Sequence, residues 1–93
     1  MNTNDRSKAI NILLGIELRK AREEFNLSQE YVAQKLGKTK QSISLYEQGK
    51  RSLNFADFFK YCEMFGFDSN AILSTIQNTS DYELAKLLKH TNH

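Results

Sequence analysis

Apolar residues recur along this chain with the period of about 3.6 residues that is typical of α-helices. Five short polar segments interrupt this pattern, and each contains residues that commonly end one helix or cap the next. The pattern therefore predicts an all-α fold, with a compact domain of five helices and an added C-terminal helix. The expected spans are about residues 5–25, 29–36, 40–48, 55–65, 69–76 and 81–89.

The second and third helices follow each other so closely that they form one unit over residues 29–48. Ser28 can cap the second helix, Gly37 can take the left-handed conformation that turns the chain, and Thr39 can cap the third. The second helix has a narrow apolar face, made of Val32, Ala33 and Leu36. Two short helices joined in this way are typical of a helix-turn-helix.

The third helix has two different faces. At about 100° per residue, one face holds the residues expected to be buried, which are Ile43, Tyr46 and Glu47. The opposite face is mainly polar and holds Gln41, Ser44, Leu45 and Gln48. Amide and hydroxyl groups on the open face of a helix suit hydrogen bonding to the edges of bases in DNA.

The first helix has two apolar stripes, although a surface helix needs only one. The expected core stripe consists of Ile10, Leu14, Leu18, Ala21 and Phe25, and the second of Ala9, Ile12, Leu13 and Ile16. The C-terminal helix carries an apolar seam of Leu84, Leu87 and Leu88. We expect the second stripe and the seam to meet, within one chain or between two. The predicted dimer surface comprises Ile12, Ile16, Leu84, Leu87 and Leu88.

The fourth helix is rich in aromatic residues and is expected to form the platform that supports the helix-turn-helix. Its predicted inner face consists of Phe55, Phe58, Phe59, Cys62 and Phe65. Asn54 and Asp68 can cap the fourth and fifth helices, and Ile72 of the fifth should point inward. Cys62 is the only cysteine, which fits a buried thiol in a reducing compartment.

Composition and charge limit the possible functions. The 93 residues suit one small domain, divided here into a helix-turn-helix domain at 1–76 and a joint with the last helix at 77–93. Residues 1–52 hold ten Lys and Arg against six Asp and Glu, whereas residues 53–93 hold three against five. The positive charge surrounds the second and third helices, as phosphate binding requires.

Other classes of function have no support in the sequence. There is no apolar run long enough to cross a membrane and no apolar core of a secretion signal near the N-terminus. No catalytic set is recognisable. We expect no enzyme activity, no cofactor and a cytoplasmic, nucleoid-associated protein of a prokaryote or a mobile element. No metal site is expected at His90 and His93, because neither Cys nor a carboxylate set accompanies them.

A series of motifs in order resembles the phage repressor/Cro (XRE-type) family of helix-turn-helix proteins. The similarity covers about residues 16–73, and its motifs are Arg22, Ser28–Gln29, Ala33, Gly37, Ile43–Ser44, Tyr46–Arg51 and Phe65–Asp68. The resemblance implies a lambda-repressor-like fold that binds double-stranded DNA. The chain departs from the family pattern at Lys38, where an apolar residue is usual. A lysine stem can cover the core while its ammonium reaches water or phosphate.

The resemblance and the chemistry of the side chains together suggest roles for individual residues. The residues expected to read bases are Lys40, Gln41, Ser44 and Leu45. The residues expected to bind DNA phosphates are Gln29, Lys38, Thr39, Ser42, Lys50 and Arg51. The family resemblance also implies a structural ion pair between Arg22 and Glu47. Gln41 is the main candidate for base reading, because an amide can bind adenine N6 and N7 together.

Three functions are compatible with these features. The first is a sequence-specific transcriptional repressor that binds a palindromic operator as a homodimer. The second is an antitoxin or anti-regulator of the same fold, whose main ligand is a partner protein bound at the second stripe and the last helix. The third is a nonspecific nucleoid protein, which the modest net charge of +2 disfavours. We take the first as the leading hypothesis.

Overall fold

A computed structural model describes residues 1–91 of the protein, with side chains to Lys89, and it confirms the all-α class. The helices are α1 (Thr3–Glu24), α2 (Gln29–Leu36), α3 (Lys40–Glu47), α4 (Phe55–Phe65), α5 (Ser69–Gln77) and α6 (Asp81–Thr91). Over this range no helix has the combination of length and apolarity that crossing a bilayer requires. The expectation that His90 and His93 bind no metal concerns side chains that lie outside the described part of the structure.

Polar side chains at the helix N-termini explain where the helices begin. Each predicted cap accepts a hydrogen bond, of 2.8–3.2 Å, from the backbone N–H three residues later. These caps are Ser28, Thr39, Asn54, Asp68 and Ser80. Helix α1 begins earlier than predicted because Asn2 caps it, accepting from the N–H of Asp5 at 2.8 Å. Local capping chemistry therefore defines most helix starts in this chain.

The main hydrophobic core lies where α1 to α5 converge. Its fully buried members include Leu18, Val32, Ile43 and Tyr61. The predicted inner face of α4 was partly wrong, because Phe55 and Phe59 are 68% and 46% exposed. The buried face of α4 is instead centred on the residues Phe58, Tyr61 and Cys62. The predicted stripe was rotated too far around the helix and therefore missed Tyr61.

Cys62 is buried, as predicted, and 3% of its surface is exposed. Burial raises the pKa of its thiol to about 11. The thiol is therefore protonated at neutral pH, and it behaves as a small apolar group of the core.

A second, smaller core joins α6 to α1. Ala9 and Leu13 of α1 are buried together with Leu84 of α6. Arg6 and Asp81 form an ion pair of 2.5 Å between the same two helices. The prediction that the second stripe and the C-terminal seam meet is confirmed for Ala9 and Leu13, and this contact lies within one chain. The main core contains no residue of α6.

Burial changes the set of residues that remain for a dimer surface. Leu84 is 1% exposed and Ile12 is 6% exposed, so neither offers an open surface to a second chain. Ile12 packs closely against the backbone at Gly49 and is not a member of the core that joins α6 to α1. Ile16, Leu87 and Leu88 are only partly buried. Of the five residues predicted for the dimer surface, these three remain at least partly accessible.

Helix α1 crosses the C-terminal end of α3 in backbone contact. A Cβ atom on Gly15 would lie 2.4 Å from the carbonyl oxygen of Tyr46 and 2.6 Å from that of Glu47. Such distances are shorter than any ordinary contact, so only glycine fits at this crossing. The close approach fixes the end of α3 against the longest helix of the protein.

Candidate nucleic-acid interface

Helices α2 and α3 form the predicted helix-turn-helix. Gly37 ends α2 in the left-handed conformation, with φ of 67°, and the N–H of Lys38 donates to the carbonyl oxygen of Ala33 at 2.8 Å. Thr39 then caps α3. The inner faces of the two helices are buried in the main core through Val32, Ala33, Leu36 and Ile43. This packing presents the opposite face of α3 to solvent.

A buried ion pair connects α1 to the end of α3. The Nε and Nη2 atoms of Arg22 donate to the two carboxylate oxygens of Glu47 at 2.6 and 3.0 Å. Only 11% of the Arg22 side chain and 3% of the Glu47 side chain are exposed. The hydrogen bonds to Glu47 raise the pKa of Arg22. A bidentate pair of this kind fixes the geometry of the two helices relative to each other.

Two further hydrogen bonds extend this ion pair into a network. Arg22 also donates from Nη1 to the carbonyl oxygen of Leu27 at 2.7 Å. Gln29, at the first position of α2, donates from Nε2 to Glu47 at 3.0 Å. The amide of Gln29 was expected to bind phosphate, and its NH₂ group is used within the protein here. One carboxylate thus holds α1, α2 and α3 together.

The exposed face of α3 carries the residues predicted to read bases. Gln41 is exposed, and its amide has no hydrogen-bond partner within the described part of the chain. Ser44 accepts from Nε2 of Gln48 at 2.8 Å, and Leu45 is partly buried. Lys40 forms an exposed ion pair of 3.1 Å with Glu30. Gln41 is therefore the residue of this group most available to an external partner.

Apart from Gln29, the residues predicted to bind phosphate fall into two groups. Ser42 accepts a hydrogen bond from Nη1 of Arg51 at 2.9 Å and lies 3.0 Å from Oγ1 of Thr39, while Lys50 is exposed nearby in the chain. Lys38 is separate, because its ammonium forms an ion pair of 3.1 Å with Asp57 of α4.

The placement of Lys38 shows how the fold accommodates a lysine after the turn. Its Nζ lies 5.8 Å from the ring centroid of Tyr46, and the pairing with Asp57 raises its pKa. Only 25% of the side chain is exposed, so the stem covers part of the core, as the sequence suggested. The ammonium is directed to Asp57 in the first turn of α4.

A polar cleft of about 460 Å³ lies beside this surface, between α1 and the helix-turn-helix. Its walls include Gln29 and Glu30 of α2 and Lys40 and Ser44 of α3. Arg19 of α1 also lines the cleft, although the sequence analysis did not single it out. The sequence offered one signal that Arg19 belongs to this site. It lies three residues before Arg22, and residues at this spacing share a helix face.

Comparison with known protein families identifies the same part of the chain as a helix-turn-helix. A family model described as helix-turn-helix matches residues 18–71, which is more than half of the sequence. The matched span contains α2, α3 and α4 together with both residues of the ion pair. No curated protein matches the chain.

Proposed function

The chain belongs to the XRE-type helix-turn-helix family of DNA-binding transcription regulators, and on that premise we propose that it is a repressor acting as a homodimer on a palindromic operator. The observation that carries this proposal is the two-faced structure of α3. Glu47, on its inner face, is fixed by Arg22 and Gln29, while Gln41 on its outer face is exposed. A rigidly held helix with a free polar face is suited to the major groove.

We assign base reading to the exposed face of α3. Gln41 can donate to and accept from the edge of an adenine, and Ser44 can do either. Leu45 offers an apolar contact to a thymine methyl group. Lys40 can bind guanine once it leaves its exposed partner Glu30, because such surface pairs contribute little stability.

We assign the positioning of the protein to contacts with the DNA backbone. Lys50 and Arg51 follow α3 and can bind phosphates on one side of the groove. Thr39 and Ser42 stand at the start of α3, and Gln29 stands at the start of α2, where the backbone N–H groups favour an anion. Such contacts provide salt-dependent affinity without reading sequence. Lys38 would join them only by leaving Asp57.

A dimer follows from the small size of this interface. One helix with a few base contacts provides limited selectivity, whereas two half-sites about 34 Å apart double the contacts and match the symmetry of a palindrome. A groove of about 460 Å³ between α1 and α6 has a floor of Leu13, Ile16 and Leu87, and we place the dimer contact there.

The roles of Gln41 and Arg51 can be separated by mutation. Gln41→Ala should cost roughly 1–3 kcal/mol on the specific site and relax selectivity at one base position. Arg51→Ala should weaken binding to all sequences alike and reduce the salt slope by about one unit. Titrations on a duplex selected from a random pool, and on its scrambled counterpart, would measure both effects. A uniform loss with Gln41→Ala, or a sequence-selective loss with Arg51→Ala, would contradict these assignments.

The dimer can be tested with the full chain. We expect two chains per operator duplex in analytical ultracentrifugation, because each half-site takes one α3. Ile16→Asp places a charge in this groove and should weaken both dimerisation and operator binding, because an unpaired charge is costly to bury. Lys89→Asp, at an exposed position of α6 outside the groove, is the control and should leave dimerisation unchanged. A full chain that binds the operator as a monomer would contradict the proposal, as would equal effects of the two variants.

A further inference from the structure

The polar cleft between α1 and the helix-turn-helix has a charge that its internal ion pairs do not neutralise. Three cationic side chains line it, namely Arg19, Arg22 and Lys40, against two carboxylates, Glu30 and Glu47. Arg22 pairs with Glu47 at 2.6 Å, and Lys40 pairs with Glu30 at 3.1 Å. These pairs use both carboxylates of the cleft, so its net charge of +1 is that of Arg19.

Arg19 is also the cation of this cleft that is most easily recruited by a ligand. Its Nε lies 3.6 Å from Oε1 of Glu23, which is not part of the cleft wall, and the two side chains are 62% and 56% exposed. A long ion pair between exposed side chains contributes little and exchanges readily. By contrast, Arg22 is committed to a buried bidentate pair. Arg19 can therefore exchange Glu23 for another anion without disturbing the fold.

We propose that Arg19 binds a phosphate of the DNA backbone in this cleft, and that Glu30 opposes the same contact. The inference rests on the proposed function, because the cleft opens beside the exposed face of α3 through Lys40 and Ser44. The planar guanidinium of arginine matches two phosphate oxygens. Glu30 repels that phosphate and also keeps Lys40 occupied. Arg19 thus adds one backbone contact from α1 to those made by the helix-turn-helix.

The test measures the affinity of full-length variants for a short random-sequence duplex by fluorescence anisotropy over a range of salt concentrations. Arg19→Gln should weaken binding roughly three- to tenfold at low salt and reduce the salt slope by about one unit. Arg19→Lys should keep the slope, because it keeps the charge. Glu30→Gln should bind severalfold more tightly. Lys8→Gln, which removes a positive charge from an exposed position of α1 outside the cleft, is the matched control.

The outcomes separate this inference from the proposed function. If the unmodified protein binds neither the random duplex nor any selected duplex, the function itself is wrong. If the unmodified protein binds DNA, and Arg19→Gln has the same affinity and salt slope as Lys8→Gln, only the inference is overturned. A loss of slope with Arg19→Lys equal to that with Arg19→Gln would also overturn it, since a charge contact should survive this change. Circular dichroism melting of each variant verifies that the fold is retained.

Discussion

Replacing Arg22 with alanine should lower the free energy of unfolding by about 3–5 kcal/mol, because it leaves the buried carboxylate of Glu47 without its cation. Gln29 would still donate one hydrogen bond to that carboxylate, but an amide does not neutralise its charge. Since Glu47 lies at the end of α3, the loss of stability should be accompanied by weaker DNA binding. Urea unfolding followed by circular dichroism would measure the change.

A double-mutant cycle tests whether the effect belongs to the pair. Arg22→Ala combined with Glu47→Ala should cost less than the sum of the single changes, with a coupling of roughly 0.5–3 kcal/mol. Arg19 and Glu23 provide a control within the same helix, because they also form an Arg–Glu pair but are mostly exposed. That pair should show a coupling below about 1 kcal/mol. Additive losses at Arg22 and Glu47 would remove their ion pair from the explanation of the fold.

Gly15→Ala should have the second large effect, with a loss of about 2–3 kcal/mol from overpacking. The sign of this change in stability is informative, because replacing glycine with alanine at an open helical position would instead stabilise the protein by up to about 1 kcal/mol. The added Cβ would meet the carbonyl oxygens of Tyr46 and Glu47, which are backbone atoms and cannot rotate away. The helices must therefore separate, and the C-terminal end of α3 must move with them.

Thermal unfolding of Gly15→Ala beside Ser7→Ala would measure this effect. Ser7 is exposed on the same helix, so its replacement by alanine should be neutral or slightly stabilising. DNA binding by Gly15→Ala should also fall, because α3 is displaced. A Gly15→Ala protein as stable as the parent would show that α1 and α3 are not in tight backbone contact.

Much of this architecture could be predicted because its signals are local. Capping residues and helix-ending glycines act within a few positions of the backbone that they stabilise, so Ser28, Gly37 and Thr39 defined the helix-turn-helix. The pairing of Arg22 with Glu47 is a contact between distant positions, and only the family resemblance indicated it. Its extension to Gln29 could not be foreseen, because an amide at a helix start can bind either an external anion or a neighbouring side chain.

Features that depend on the angle between helices were harder to predict. A periodic pattern shows that α4 has an inner face, but the other helices decide which residues are covered. Phe55 and Phe59 were therefore misplaced and Tyr61 was missed. The sequence shows Gly15 within a helix, where glycine is unfavourable, but it does not show which backbone approaches it. Ile12 was grouped with the residues under α6, whereas in the structure it packs closely against the backbone at Gly49.

The separation of α3 into two faces has a consequence for how such a protein can diverge. Ile43, Tyr46 and Glu47 are constrained by the core and by the ion pair, whereas Gln41 is exposed and takes no part in the core. Substitutions at the exposed positions have little effect on stability, so selection can act on them through DNA sequence preference alone. A duplicated copy of this gene could acquire a new preference for DNA sequence through a few such changes while inheriting an unaltered scaffold.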